Sequence, residues 1–144
     1  MATFRSSDVI RGSIEEVFAV VNDMEGRAEW DPQTLRVEKL SEGPVGEGTR
    51  FEMVVKGPGK MSLEVVEFDE PSRITFQASM KMGEGRHTFN ISPTEGGTVV
   101  DQVLETRAKG LGILFAPLMG MMAKRSLKQI INVMAARIRS QAVS

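Results

Sequence analysis

The chain contains no cysteine, no tyrosine and only one histidine among its 144 residues. Without cysteine there can be no disulfide, thiolate nucleophile, iron–sulfur cluster or thiolate-ligated zinc, and one imidazole cannot build a multi-histidine metal site. No metal and no cofactor is therefore expected. The longest apolar run, residues 111–123, contains Pro117 and falls short of the roughly 20 residues a membrane-spanning helix needs. The first eleven residues hold no apolar stretch of signal-peptide length, so a cytoplasmic location is expected. With 18 basic and 19 acidic side chains the net charge is −1, which predicts no general affinity for nucleic acid.

What remains is an ordinary globular composition, 41% hydrophobic and 26% charged. The length corresponds to a single domain over residues 1–144, at about 100–200 residues per domain. The charge is unevenly spread. Through Glu105 there are 11 basic and 19 acidic residues, whereas residues 106–144 carry seven basic ones and no acid. Such a tail is either the polar face of a helix complementing an acidic sheet or a basic amphipathic helix that touches anionic lipid.

Residues 3–11 read as a first strand. Ser13-Ile14-Glu15-Glu16 then forms a capping box, with Ile14, Val17, Phe18 and Val21 at helical spacing behind it. Asp23 can cap a second short helix ending before Trp30-Asp31-Pro32, where Pro32 forces extended backbone. From residue 35 to about 107 the pattern has period two, broken by Gly/Pro-rich turns at 43–48, 57–59, 69–72, 83–85 and 93–97, as in an antiparallel sheet. In the last strand Val100, Gln102, Leu104 and Thr106 form the face expected to point inward, because the opposite face carries the charges. Residues 113–141 are expected to be one long helix with Leu127, Ile130, Ile131, Met134 and Ile138 as its apolar stripe. The result is an α+β domain: a seven-stranded curved antiparallel sheet wrapped around a long C-terminal helix, with two short helices between strands one and two.

This order, together with Ser13-Ile14-Glu15-Glu16-Val17-Phe18, Trp30-Asp31-Pro32, the Gly43–Thr49 loop and Gly96-Gly97-Thr98, resembles the START / birch-pollen-allergen superfamily. Within that helix-grip superfamily, it resembles the bacterial polyketide cyclase/dehydrase and lipid transport group. The resemblance implies a cavity between sheet and terminal helix. Relatives use that cavity for lipids, sterols, polyketides or hormones, and some catalyse cyclisation or dehydration in it.

On that reading Phe51, Met53, Leu63, Phe76, Met80, Phe89 and Leu104 line the cavity, while His87, Gln102 and Thr106 supply its polar contacts. Trp30 either lines the entrance or packs the helix pair on the sheet. Residues 111–123 are apolar nearly all round, a pattern normally buried on every side. Phe115, Met119 and Met122, together with Leu118, are then candidates for a gate, a homodimer contact or a peripheral membrane contact. His87 is the one candidate acid or base, with no carboxylate to orient it. Gly110-Leu111-Gly112 is no dinucleotide fingerprint, since Phe115 stands at the third glycine position and no strand follows.

The leading expectation is thus a binding protein for a hydrophobic small molecule. Its alternatives are a polyketide cyclase or dehydratase, and a partner-binding or toxin–antitoxin-type module using the apolar 111–123 surface.

Overall fold

The structure, a computed structural model, describes residues 1–143; Ser144, the end of the expected domain, lies outside the described residues. Strand β1 (Ala2–Ile10) leads into helix α1 (Ile14–Asn22) and the one-turn helix α2 (Arg27–Trp30). Strands β2 (Thr34–Lys39), β3 (Arg50–Val55), β4 (Gly59–Asp69), β5 (Arg73–Met80), β6 (Gly83–Thr94) and β7 (Gly97–Ala108) follow. A 3-10 turn (Gly110–Ile113) then opens helix α3 (Ala116–Val143). The seven strands form one antiparallel sheet in the order β1-β7-β6-β5-β4-β3-β2. This is the expected helix-grip arrangement, down to the two short helices between β1 and β2.

Local signals account for the helices. The Ser13 hydroxyl accepts from the Glu16 amide while Glu16 Oε1 accepts from the Ser13 amide, closing the capping box at 3.1 and 3.0 Å. Asp23 Oδ1 accepts from the Gly26 amide at 3.1 Å and so turns the chain into α2, whose N-cap is Gly26. In α3, Leu127, Ile130, Ile131, Met134 and Ile138 are all buried, as their spacing predicts.

Directly paired residues of an antiparallel sheet share a face, so the register reads as rows across the concave side. One row runs Ser6, Gln102, Phe89, Ile74, Phe68; the next runs Phe4, Leu104, His87, Phe76, Val65. A third holds Thr106, Gly85, Ala78, Leu63 and Phe51, and a fourth holds Gly83, Met80, Met61 and Met53. A bulge in β4 shifts the register between Val65 and Glu67. Phe68 is thereby turned inward, where its ring meets Phe18 edge-on at 5.6 Å and joins α1 to the sheet.

Two sequence expectations are corrected. The turn expected at Gly83-Glu84-Gly85 lies at Lys81-Met82 instead, and both glycines are buried in β6. At Gly83 a Cβ would collide with the Arg107 carbonyl of β7; this glycine serves close backbone approach, not a turn. The second correction concerns the apolar segment before α3. Leu111, Ile113, Leu114, Phe115, Leu118, Met121 and Met122 are exposed, not buried on all sides. Gly112 is buried and lies close against the Met82 carbonyl, which anchors this tip to the sheet.

Candidate functional site

Gln102 stands at the centre of the concave face with no solvent exposure. Its Nε2 donates to the Leu127 carbonyl of α3 at 3.0 Å and to Ser6 Oγ of β1 at 3.2 Å. A carbonyl only accepts, so the amide nitrogen must face Leu127 and Oε1 must face His87 Nε2, 2.8 Å away. The proton of His87 therefore sits on Nε2, and Nδ1 keeps its lone pair with no hydrogen-bond partner among the described residues. The ring stacks on Phe89 at 4.3 Å. Burial, first of all, drives the imidazole pKa down to about 4; the bond to Gln102 opposes this and the Arg27 charge adds to it. His87 is thus a neutral, oriented hydrogen-bond acceptor at pH 7.

Arg27, on α2, lies near enough for its charge to act on this ring. Its Nε pairs with Asp31 Oδ2 at 3.3 Å and its guanidinium lies 5.8 Å from the centre of the Trp30 ring. Burial lowers the Arg27 pKa, and Asp31, by its charge and hydrogen bond, restrains the fall. Asp31 also accepts from Thr34 Oγ1 at 2.9 Å and from the Gln33 amide at 3.0 Å. The Trp30-Asp31-Pro32 motif is therefore the device that locks α2 onto β2. Trp30 Nε1 is buried and has no hydrogen-bond partner among the described residues.

Beside His87 the inward face is lined by small residues. Thr106, Gly85 and Ala78 are directly paired across β7, β6 and β5, so the row next to the imidazole carries only short side chains. Accessibility follows the rows. Phe51, Met53, Leu63, Phe76 and Phe89 are buried, whereas His87, Leu104, Thr106, Ala78, Met61 and Met80 are only half-buried. The inward face thus opens towards the β5–β6 turn. Half-buried Met119 and exposed Met122 flank this end on α3, and Phe115 stands outside it, 48% exposed.

The expected residues accordingly divide into a packed floor that includes Gln102, a half-buried set with His87, Leu104, Thr106 and Met80, and Phe115 and Met122 on the outer surface. Arg27 and Asp31 were not expected, although their i, i+4 spacing before Pro32 is visible in the sequence. Two surface grooves lie elsewhere. One, of about 670 Å3, runs between α1 and the β4–β5 turn, and one of about 210 Å3 runs between β1 and α3. None of the expected ligand-contacting residues lines either groove. No group of His, Asp and Glu among the described residues could hold a metal ion.

A curved seven-stranded antiparallel sheet gripped by one long terminal helix is a fold-level signature, and the sequence agrees with it. The profile of the family described as polyketide cyclase / dehydrase and lipid transport matches residues 1–142. The chain belongs to this family. No curated protein matches this chain. Among solved structures it is similar to a START superfamily protein from Mycobacterium smegmatis, with a TM-score of 0.79, 16% identity, and 96% of this chain and 98% of the other covered. It is equally similar to the Zhui aromatase/cyclase of a Streptomyces species, with a TM-score of 0.79, 16% identity and coverage of 98% and 95%. Ara h 8.0201 aligns with a TM-score of 0.76 and 16% identity over 96% of this chain and 98% of its own. At these identities the likeness concerns the fold. The family as a whole spans hydrophobic-ligand binding and cyclase-type chemistry, and no helix among the described residues is long and apolar enough to cross a membrane.

Proposed function

We propose that this protein binds an apolar small molecule with a hydroxyl group, of aromatic or polyketide type, against the accessible end of the concave face. The observation that carries the reading is the unpartnered Nδ1 of a neutral His87, held in place by Gln102 beside the small row Thr106–Gly85–Ala78. A ligand hydroxyl would donate to Nδ1, while its apolar body lies over Gly85 and Ala78 between Phe76 and Met80. An apolar body burying about 200 Å2 gains about 5 kcal/mol, enough for binding once a single polar contact orients it. Nothing in this arrangement requires a charged group to change state.

Catalysis is the weaker reading for the same reason. A general base works best with a pKa near the working pH, and His87 is held near 4. The similarity to an aromatase/cyclase keeps cyclisation as the alternative, with Nδ1 taking a proton from a polyketide-like substrate. Mass spectrometry of the intact protein under native conditions, followed by denaturing extraction, tests the binding reading. An apolar molecule should co-purify with the natural protein and be lost from Gly85→Leu. If Gly85→Leu and His87→Phe, both folded, retain the same molecule at the same occupancy, the site is elsewhere. Turnover of a poly-ketone substrate that vanishes in His87→Gln while binding persists would instead establish the cyclase.

A further inference from the structure

The end of the molecule where the concave face opens carries an apolar tip within a basic collar. The tip is the 3-10 turn and the first turns of α3, with Leu111 70%, Leu114 75% and Phe115 48% exposed. On α3, Leu118, Met121, Arg125 and Lys128 succeed one another at intervals of three and four residues along a single exposed face. That face lies opposite the buried stripe, and its apolar part precedes its charged part. Leu118 and Arg125 are about 10 Å apart along the axis, at 1.5 Å per residue.

The sheet contributes to the same end. Met122 Cε packs on Gly57, 3.4 Å from where a Cβ would stand, which brings the β3–β4 turn with Lys56 and Lys60 beside the tip. The Lys109 amide donates to the Met82 carbonyl at 3.0 Å, which brings in the β5–β6 turn with Lys81. Of these cations, Lys60 and Lys109 are paired, with Glu52 and Glu84. Lys56, Lys81, Lys124, Arg125 and Lys128 make no ion pair among the described residues.

The geometry points to this end as a docking surface for an anionic lipid bilayer. The apolar tip would sit below the headgroups and the lysines and arginine level with them. An interfacial segment buries its apolar side about 5–10 Å into the headgroup–acyl boundary and gains from cations at the rim. The spacing from Leu118 to Arg125 matches that depth. A second copy of the chain is a poorer occupant, because a two-fold contact through the tip would bring two sets of unpaired cations together. Docking needs no ligand in the concave face, but it would place the opening of that face on the membrane.

Co-sedimentation of the full chain with vesicles of phosphatidylcholine and phosphatidylglycerol tests this. Binding is expected to the mixed vesicles and not to phosphatidylcholine alone, and it should weaken in high salt. Leu114→Glu should lower it at least about tenfold and Lys124→Gln about fivefold. Leu40→Glu, at an exposed leucine beside Arg50, at the opposite end of β3 from the Lys56 turn, should leave it unchanged. All three sites are exposed, so circular dichroism should show the folded state throughout. The proposal is overturned if mixed vesicles are not bound, if Leu114→Glu binds as the natural protein does, or if the natural protein dimerises in solution, ignores vesicles, and becomes monomeric on Leu114→Glu.

Discussion

His87 is the only histidine in the chain and Trp30 the only tryptophan, so both the titrating group and the optical reporter are unique. Burial holds the folded imidazole pKa near 4, against 6.5 for the free side chain. The unfolded chain therefore binds the proton more readily, and stability must fall as the pH drops below about 6.5, continuing until the pH reaches about 4. Linkage over two pKa values of that size gives a loss of about 2 kcal/mol between pH 7.5 and pH 5. For a domain of this length that lowers the melting temperature by about 4–8 °C. Glu67, whose pKa is lowered by hydrogen bonds from Arg73 and Thr75, loses its contribution only at lower pH. Urea unfolding followed by Trp30 fluorescence at pH 7.5, 6 and 5 measures the slope, and His87→Gln should flatten it. A wild-type slope equal to that of His87→Gln, or an imidazole NMR titration with its midpoint near 6.5, would refute the buried neutral histidine and the hydrogen-bonding scheme built on it.

Gln102→Ala should cost about 1–3 kcal/mol by urea unfolding, since it strands the His87 Nε2 proton and removes the second hydrogen bond to the Leu127 carbonyl. Asp31→Ala should cost about 3–5 kcal/mol, because it leaves the Arg27 guanidinium buried without its counter-charge; the double change Arg27→Met with Asp31→Ala should recover part of the loss. Gly83 and Gly85 should behave oppositely in thermal melts. Gly83→Ala drives a methyl into the Arg107 carbonyl and should destabilise strongly. Gly85→Ala meets its nearest atom, the Glu105 carbonyl oxygen, at an ordinary 3.5 Å and should be nearly neutral. Equal melting temperatures for the two variants would contradict the packing of β6 on β7.

What the sequence determined by itself is whatever depends on neighbours within a few residues. The Ser13–Glu16 box starts α1, alternation from Thr49 to Thr106 makes strands, and the spacing of Leu127, Ile130, Ile131, Met134 and Ile138 assigns the buried side of α3. The inward face of β7 was also legible, because all charges lie on the other side. That reading put Gln102 inside, where the structure has it. Tertiary structure decided the rest. Nothing local says that Gly83 is a strand residue under the β7 backbone, since only the approach of Arg107 makes the glycine necessary. Nor does the pattern around Val66 show that a bulge turns Phe68 inward to meet Phe18. The hydrogen-bond chain from Leu127 through Gln102 to His87 joins residues 25 and 15 apart in sequence, so its existence depends on the register of three elements at once. The clearest case is the segment from Leu111 to Met122. Its composition suggests a buried helix, but α3 has a single stripe against the sheet. The helix begins at the edge of that sheet, where no layer remains to cover its other side.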